Sequence, residues 1–181
     1  MSRTATVTAP AQLIVLRGNS GSGKSSVARA LRQRYGYGMA WVEQDYLRRV
    51  LLREHDVPHG KNIDLNVRYA MEQGYHVVLE GILSTRHYGP MLRRLRQGCG
   101  TASHFYFFDL PFEETVRRHA TRPQAREFGV ETMHGWYQEC DLLPFVAERV
   151  IPADSSLEAT VERLWNEVGL QRRHGPDEDG P

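Results

Sequence analysis

The stretch LRGNSGSGKSSVARAL, residues 16–31, decides how this chain reads. Gly18, Gly23, Lys24 and Ser25 satisfy G-x-x-x-x-G-K-[ST]. The chemistry behind that spacing is anion recognition. A phosphate needs closely packed donors with no side chain in the way. Gly18, Gly21 and Gly23 let the backbone curl so that its N–H groups converge. The run before them, QLIVLRG (12–18), reads as a buried strand; residues 24–34 read as a helix ending before Gly36. The start of that helix adds the positive end of its dipole. In such a loop Lys24 reaches the β- and γ-phosphates and Ser25 ligates Mg2+. Asn19, Ser20, Ser22 and Ser26 complete the stretch expected to hold a nucleotide. The plain alternative is a flexible Gly/Ser turn, and a strand before with a helix after weighs against it.

Outward from the loop, short apolar runs alternate with helical patterns. MAWVEQ (39–44), YHVVLEG (75–81), HFYFFDL (104–110) and ERVIPA (148–153) have the length and β-branched or aromatic content of strands. Helices are predicted at 45–54 and at 63–73, the latter stopping at Gly74. A further helix is expected with Pro111 at its first position and Glu113 and Glu114 in its first turn. The last follows a capping box of Ser155 and Glu158 and ends at Gly169. Alternation of this kind implies a three-layer α/β domain with a mostly parallel sheet. Ligands bind such sheets beyond the carboxyl ends of the strands, which puts Gly18–Ser26, Asp45 and Glu80–Arg86 on one rim.

Composition narrows the class. The 181-residue chain predicts one domain, residues 12–170, with polar ends at 1–11 and 171–181 that read as disordered. No run of eighteen apolar residues and no apolar leader core is present, so the default expectation is cytoplasmic residence with no membrane partner. The net charge of +1 does not favour a long polyanion as partner. Lysine occurs only at 24 and 61 against abundant arginine, which singles out Lys24. Two cysteines without C-x-x-C spacing predict ordinary thiols, and the eight histidines lack metal-site spacing.

Candidates for the chemistry after phosphate binding lie in three stretches. In WVEQDYLRR, Asp45 ends the second strand and Arg48 is three residues on. If a helix starts at Asp45, the two share a face, a carboxylate to accept a proton and a guanidinium to orient an acceptor. Asp45 reads equally well as a simple helix cap. In VVLEGILSTRHY, Glu80 stands where a metal-shell or water-holding acid is expected, and Arg86 is near enough to face an acceptor. Their alternatives are a strand-end carboxylate satisfied by amides and a solvated loop arginine. In VRRHATRPQAREFG, Arg117, Arg118, Arg122 and Arg126 crowd one helix end. Arginines on a lid stabilise the charge that phosphoryl transfer spreads over the γ-oxygens. A solvated basic helix end is the alternative.

Together GNSGSGKSS, EQDYLRR, VVLEG and RRHATRP resemble the small P-loop kinases of the nucleotide-kinase-like superfamily. Gluconate and shikimate kinases, chloramphenicol phosphotransferase, zeta toxins and the polynucleotide 5′-hydroxyl kinase domain belong there. The resemblance covers about residues 12–168. It implies the P-loop NTPase fold, with five parallel strands in order 2-3-1-4-5 and a small helical lid near 117–135. It implies ATP and Mg2+ held at Gly18–Ser26, Asp45 as general base, and Arg118 and Arg122 as lid arginines. It also implies Arg117 or Arg118 on the adenine, with IPADSS (151–156) edging the base. Glu80 departs from the aspartate that many relatives carry. The expected reaction is γ-phosphate transfer to a hydroxyl of a small molecule. Transfer to a polynucleotide 5′-hydroxyl and a regulatory nucleotide-binding module are the alternatives.

Overall fold

The computed structural model describes residues 10–54, 60–121 and 129–172. Five parallel strands form one sheet: β1 (Leu13–Gly18), β2 (Met39–Glu43), β3 (His76–Gly81), β4 (Ser103–Asp109) and β5 (Arg149–Pro152). Their order is β2-β3-β1-β4-β5, the expected 2-3-1-4-5. β1 is central and buried along its whole length. Its side chains alternate between two cores, as the two-residue period of a strand requires. Ile14 and Leu16 pack with Val27 and Leu31 of α1 (Lys24–Tyr35) and Leu164 and Val168 of α6 (Leu157–Val168). Leu13 and Val15 pack with Ile63 and Val67 of α2 (Lys61–Glu72) and Leu92 and Leu95 of α3 (Thr85–Cys99). Two shorter helices, α4 (Phe112–His119) and α5 (Val130–Trp136), follow β4.

Several elements differ from the sequence expectation, each for a local reason. The helix α3 was not anticipated, because Gly89 and Pro90 interrupt its pattern. Tyr88, Met91, Leu92 and Leu95 nevertheless recur at helical spacing and are buried. Four buried side chains, at about 1.5–3 kcal/mol each, outweigh the roughly 3 kcal/mol an interior proline costs. The helix expected at 45–54 is a π-helical turn, Tyr46–Leu51. Pro111 takes the N-cap position, so α4 begins at Phe112, one residue later than expected. Ser156, not Ser155, caps α6, its hydroxyl accepting from Ala159 N at 3.1 Å. Ser155 instead pairs its hydroxyl with Thr160 Oγ1. Most of both terminal stretches, and the 122–128 part of the lid region with Arg122 and Arg126, lie outside the described residues.

Candidate active site

The phosphate loop is built by backbone geometry. Gly18 has φ +138° and Gly21 φ +82°, and a Cβ on either would lie 2.6 Å from a carbonyl oxygen, that of Phe108 or Thr115. Positive φ and close approach together demand glycine at both positions. The Lys24 ammonium donates to Asn19 O at 2.8 Å and Ser22 Oγ at 3.0 Å, and the side chain is almost wholly buried. Desolvation strengthens whatever electrostatic contact that cation makes.

Beside the loop, acids converge. Ser25 Oγ donates to Glu80 Oε1 at 2.9 Å. Glu80, next to last in β3, stands opposite Glu43 of β2 in strand register. Burial, followed by the charges of Glu80 and Asp45, raises the Glu43 carboxyl above its usual range. Lys24, Ser25, Glu43, Asp45 and Glu80 line one small chamber of about 70 Å3. Among the described residues no three His, Cys, Asp or Glu side chains form a metal cage. The Ser25–Glu80 oxygen pair is the donor set suited to a hard cation that takes its remaining ligands from phosphate and water.

A larger cavity of about 460 Å3 opens on the other side of Asp45. Gln44, Arg48, Glu54, His87 and Trp136 are among its walls. Asp45, Arg49, Ile82 and Trp136 border both chambers. Asp45 and Arg48 therefore do face one cleft. Their partners differ from the expected pair: Arg48 Nε donates to Glu54 Oε2 at 2.9 Å, while Arg49 Nε lies 3.6 Å from Asp45 Oδ1. Both arginines lie on the π turn. Its i→i+5 bond runs from Leu52 N to Leu47 O at 3.1 Å, and Asp45 and Arg49, four residues apart, share one face of the coil. Asp45 makes no side-chain cap bond, so the capping role is not observed.

The AAA domain family matches residues 13–138, from β1 through the wall of the larger chamber. The chain belongs to that family. No curated protein matches the sequence. Among solved structures it is similar to a sugar kinase from Janibacter sp. HTCC2649, with 18% identity, 91% of this chain and 100% of that chain covered, and a TM-score of 0.68. It is similar to the Mycobacterium tuberculosis APS kinase in complex with AMPPNP and APS, with 18% identity, coverages of 90% and 99%, and a TM-score of 0.65. A chain of the Pnkp1/Rnl/Hen1 RNA repair complex is 21% identical, with coverages of 75% and 45% and a TM-score of 0.55. At these identities the likeness is one of fold, and that fold is the P-loop kinase-like fold.

In this AAA domain the arginines of α4 sit on the far side of the loop from Asp45. A cavity of about 260 Å3 is lined by Gly23, Val27, Arg118, Ile151, Pro152 and Ser155, among others. Arg118 bridges it, donating to Ser22 O at 3.3 Å and Ala153 O at 2.6 Å. It does not line the chamber of Lys24 and Ser25. Arg117 is exposed and clamps Glu114 through two nitrogens, at 2.7 and 2.8 Å. Hydrogen bonds from Arg117 and then Arg118 hold the Glu114 carboxyl down at about 2. Arg86 is exposed and does not line the larger chamber; His87 and Ser84, its near neighbours, do.

Three further residues escaped sequence reading. Arg17, next to last in β1, is fully buried. It donates to Leu83 O (3.0 Å), Glu148 Oε2 (2.6 Å), Asp141 Oδ2 (2.9 Å) and Thr85 Oγ1 (3.1 Å). Gln44 accepts from Leu83 N at 3.0 Å and donates to Tyr88 Oη at 3.0 Å. Arg17 and Gln44 together hold Leu83 at φ +45°, a conformation a branched side chain adopts only under constraint. Asp141, which also accepts from Thr85 N at 2.8 Å, ties the segment after α5 to the start of α3. The only sequence signal was an arginine inside an otherwise apolar strand.

Proposed function

We propose that this protein is an ATP-dependent kinase that transfers the γ-phosphate to a hydroxyl of a small molecule in the 460 Å3 chamber. One observation carries the reading. Asp45 borders both the chamber of Lys24, Ser25 and Glu80 and the larger cavity. A hydroxyl in the larger cavity would meet a phosphate on Lys24 beside that carboxylate, where proton removal is needed. The volume falls in the range usual for small-molecule sites. The adenine side would be the 260 Å3 cavity spanned by Arg118, which makes Arg118 a base-side residue rather than a transfer-site arginine.

Ser25 and Glu80 fit a magnesium ion, being hard oxygen donors already in contact. When bound, the ion would neutralise charge on the β- and γ-phosphates. Lys24 would hold the γ-oxygens, and the glycine turns would supply unobstructed N–H groups. Trp136 would keep bulk water from the junction of the chambers, limiting hydrolysis. The larger cavity pairs Asp45 with Arg49 and Glu54 with Arg48, so its ionised walls balance. That balance supports an uncharged acceptor over a polynucleotide, whose phosphates need unmatched cations.

The test is ADP release from Mg2+·ATP, alone and with a panel of sugars, nucleosides, aminoglycosides, chloramphenicol-like alcohols and a 5′-hydroxyl oligonucleotide. Stimulation by one small-molecule class, lost in Asp45→Asn, is the expected result. Stimulation by the oligonucleotide alone would move the reading to end-kinase chemistry. Nucleotide binding with acceptor-independent turnover unchanged in Asp45→Asn would mean a regulatory module.

A further inference from the structure

Asn19 is the second residue of the phosphate loop, yet its side chain turns away toward the polypeptide 119 residues on. Its Nδ2 donates to Gln138 O and its Oδ1 accepts from Gln138 N, both at 2.9 Å. The amide thus grips both polar groups of one residue. Asn19 is nearly buried, so neither bond is easily replaced by water. The main-chain carbonyl of Asn19 accepts the Lys24 ammonium at 2.8 Å. One residue therefore joins the phosphate-binding cation to the segment after α5. Two positions before Gln138 stands Trp136, which borders both chambers, and Gln138 itself lines the larger one.

We propose that Asn19 is a positioning residue that sets the Trp136 wall of the acceptor chamber according to what the phosphate loop holds. The inference rests on the nucleotide-binding part of the proposed function. A β- or γ-phosphate competes for the Lys24 ammonium with the Asn19 carbonyl. Shifting that bond moves the Asn19 peptide, and the two-bond grip on Gln138 carries the shift to Trp136. The rest of the segment is anchored so that movement concentrates there. Beyond Gln138, Asp141 and Glu148 are held by the buried Arg17. The side chain of Gln138 takes no part, since both bonds use its main chain. The coupling therefore depends on residue 19 and not on the identity of residue 138. Linked sites generally show coupling of about 5–150-fold, ample for a tryptophan wall to report nucleotide.

The experiment is amide hydrogen exchange on the full chain, with and without Mg2+·AMP-PNP, for wild type, Asn19→Ala and Asn19→Asp. The aspartate is nearly isosteric and keeps the acceptor for Gln138 N while losing the donor. The informative amides are those of α5, residues 130–136, because they exclude the Gln138 N–H that Asn19 holds directly. In wild type, nucleotide should slow exchange both at 18–31 and in α5. In the variants it should still slow 18–31, while the α5 response is lost in Asn19→Ala and weakened in Asn19→Asp. An α5 response equal to wild type in both variants overturns the proposal, as does a wild type whose α5 ignores nucleotide. Loss of protection at 18–31 in both variants would make Asn19 a plain nucleotide ligand and also overturn it. Wild type without protection at 18–31 would fail the nucleotide reading itself, a distinct result that removes the proposal with it.

Discussion

The two sides of the proposed site are made in different ways. The phosphate side is nine consecutive residues, Gly18–Ser26, whose recognition groups are mostly main-chain N–H donors shaped by glycine. The acceptor side is assembled from the end of β2, the π turn, the start of α3 and the end of α5 with the residues that follow it. One side is a local conformation, and the other exists only once distant segments are packed together. The phosphate side tolerates little variation, because a Cβ at Gly18 or Gly21 would collide with a backbone oxygen. The acceptor side rests on side chains, and side chains can change its fit without disturbing the sheet.

The comparison breaks first at Arg17. Asp141 and Glu148 depend on its guanidinium to hold the acceptor-side segment. Arg17→Met should lose about 3–5 kcal/mol in urea unfolding, the usual penalty for orphaning buried charge. A loss near zero would show the segment to be held by other contacts. Lys24→Ala should lower ATP turnover by about 10²–10³-fold while circular dichroism and Tm stay at wild-type values. Full activity in that variant would remove the phosphate side from the chemistry. Asp45→Asn should lose about 10²-fold in transfer with little change in ATP affinity. If ATP binding weakened instead, Asp45 would belong with Ser25 and Glu80 rather than between the two sides. The smallest effect is expected for Arg48→Ala. Acceptor KM should rise about tenfold, or 1.4 kcal/mol, with ATP KM nearly constant. An effect on ATP alone would place Arg48 on the other side of the division.

How much was legible follows the same line. Strand positions were read to within a residue or two, because buried strands carry apolar runs that only burial explains. The π turn was not legible. Its extra residue per coil comes from packing, and YLRRVL carries no signal against an α-helix. α3 was hidden by Gly89-Pro90, since sequence reading weighs a breaker without seeing the buried face that overrides it.

The sequence by itself determined the phosphate loop, the strand count and the parallel α/β class. Loop chemistry depends on glycine and lysine at fixed spacing, and hydrophobic periodicity is a property of neighbours along the chain. Only the tertiary structure decided that Gln44 reaches Leu83 and Tyr88, that Arg118 spans from Ser22 to Ala153, and that Asn19 grips Gln138. Those pairings join residues by geometry across up to 119 positions, and no local pattern encodes a distance that packing alone sets.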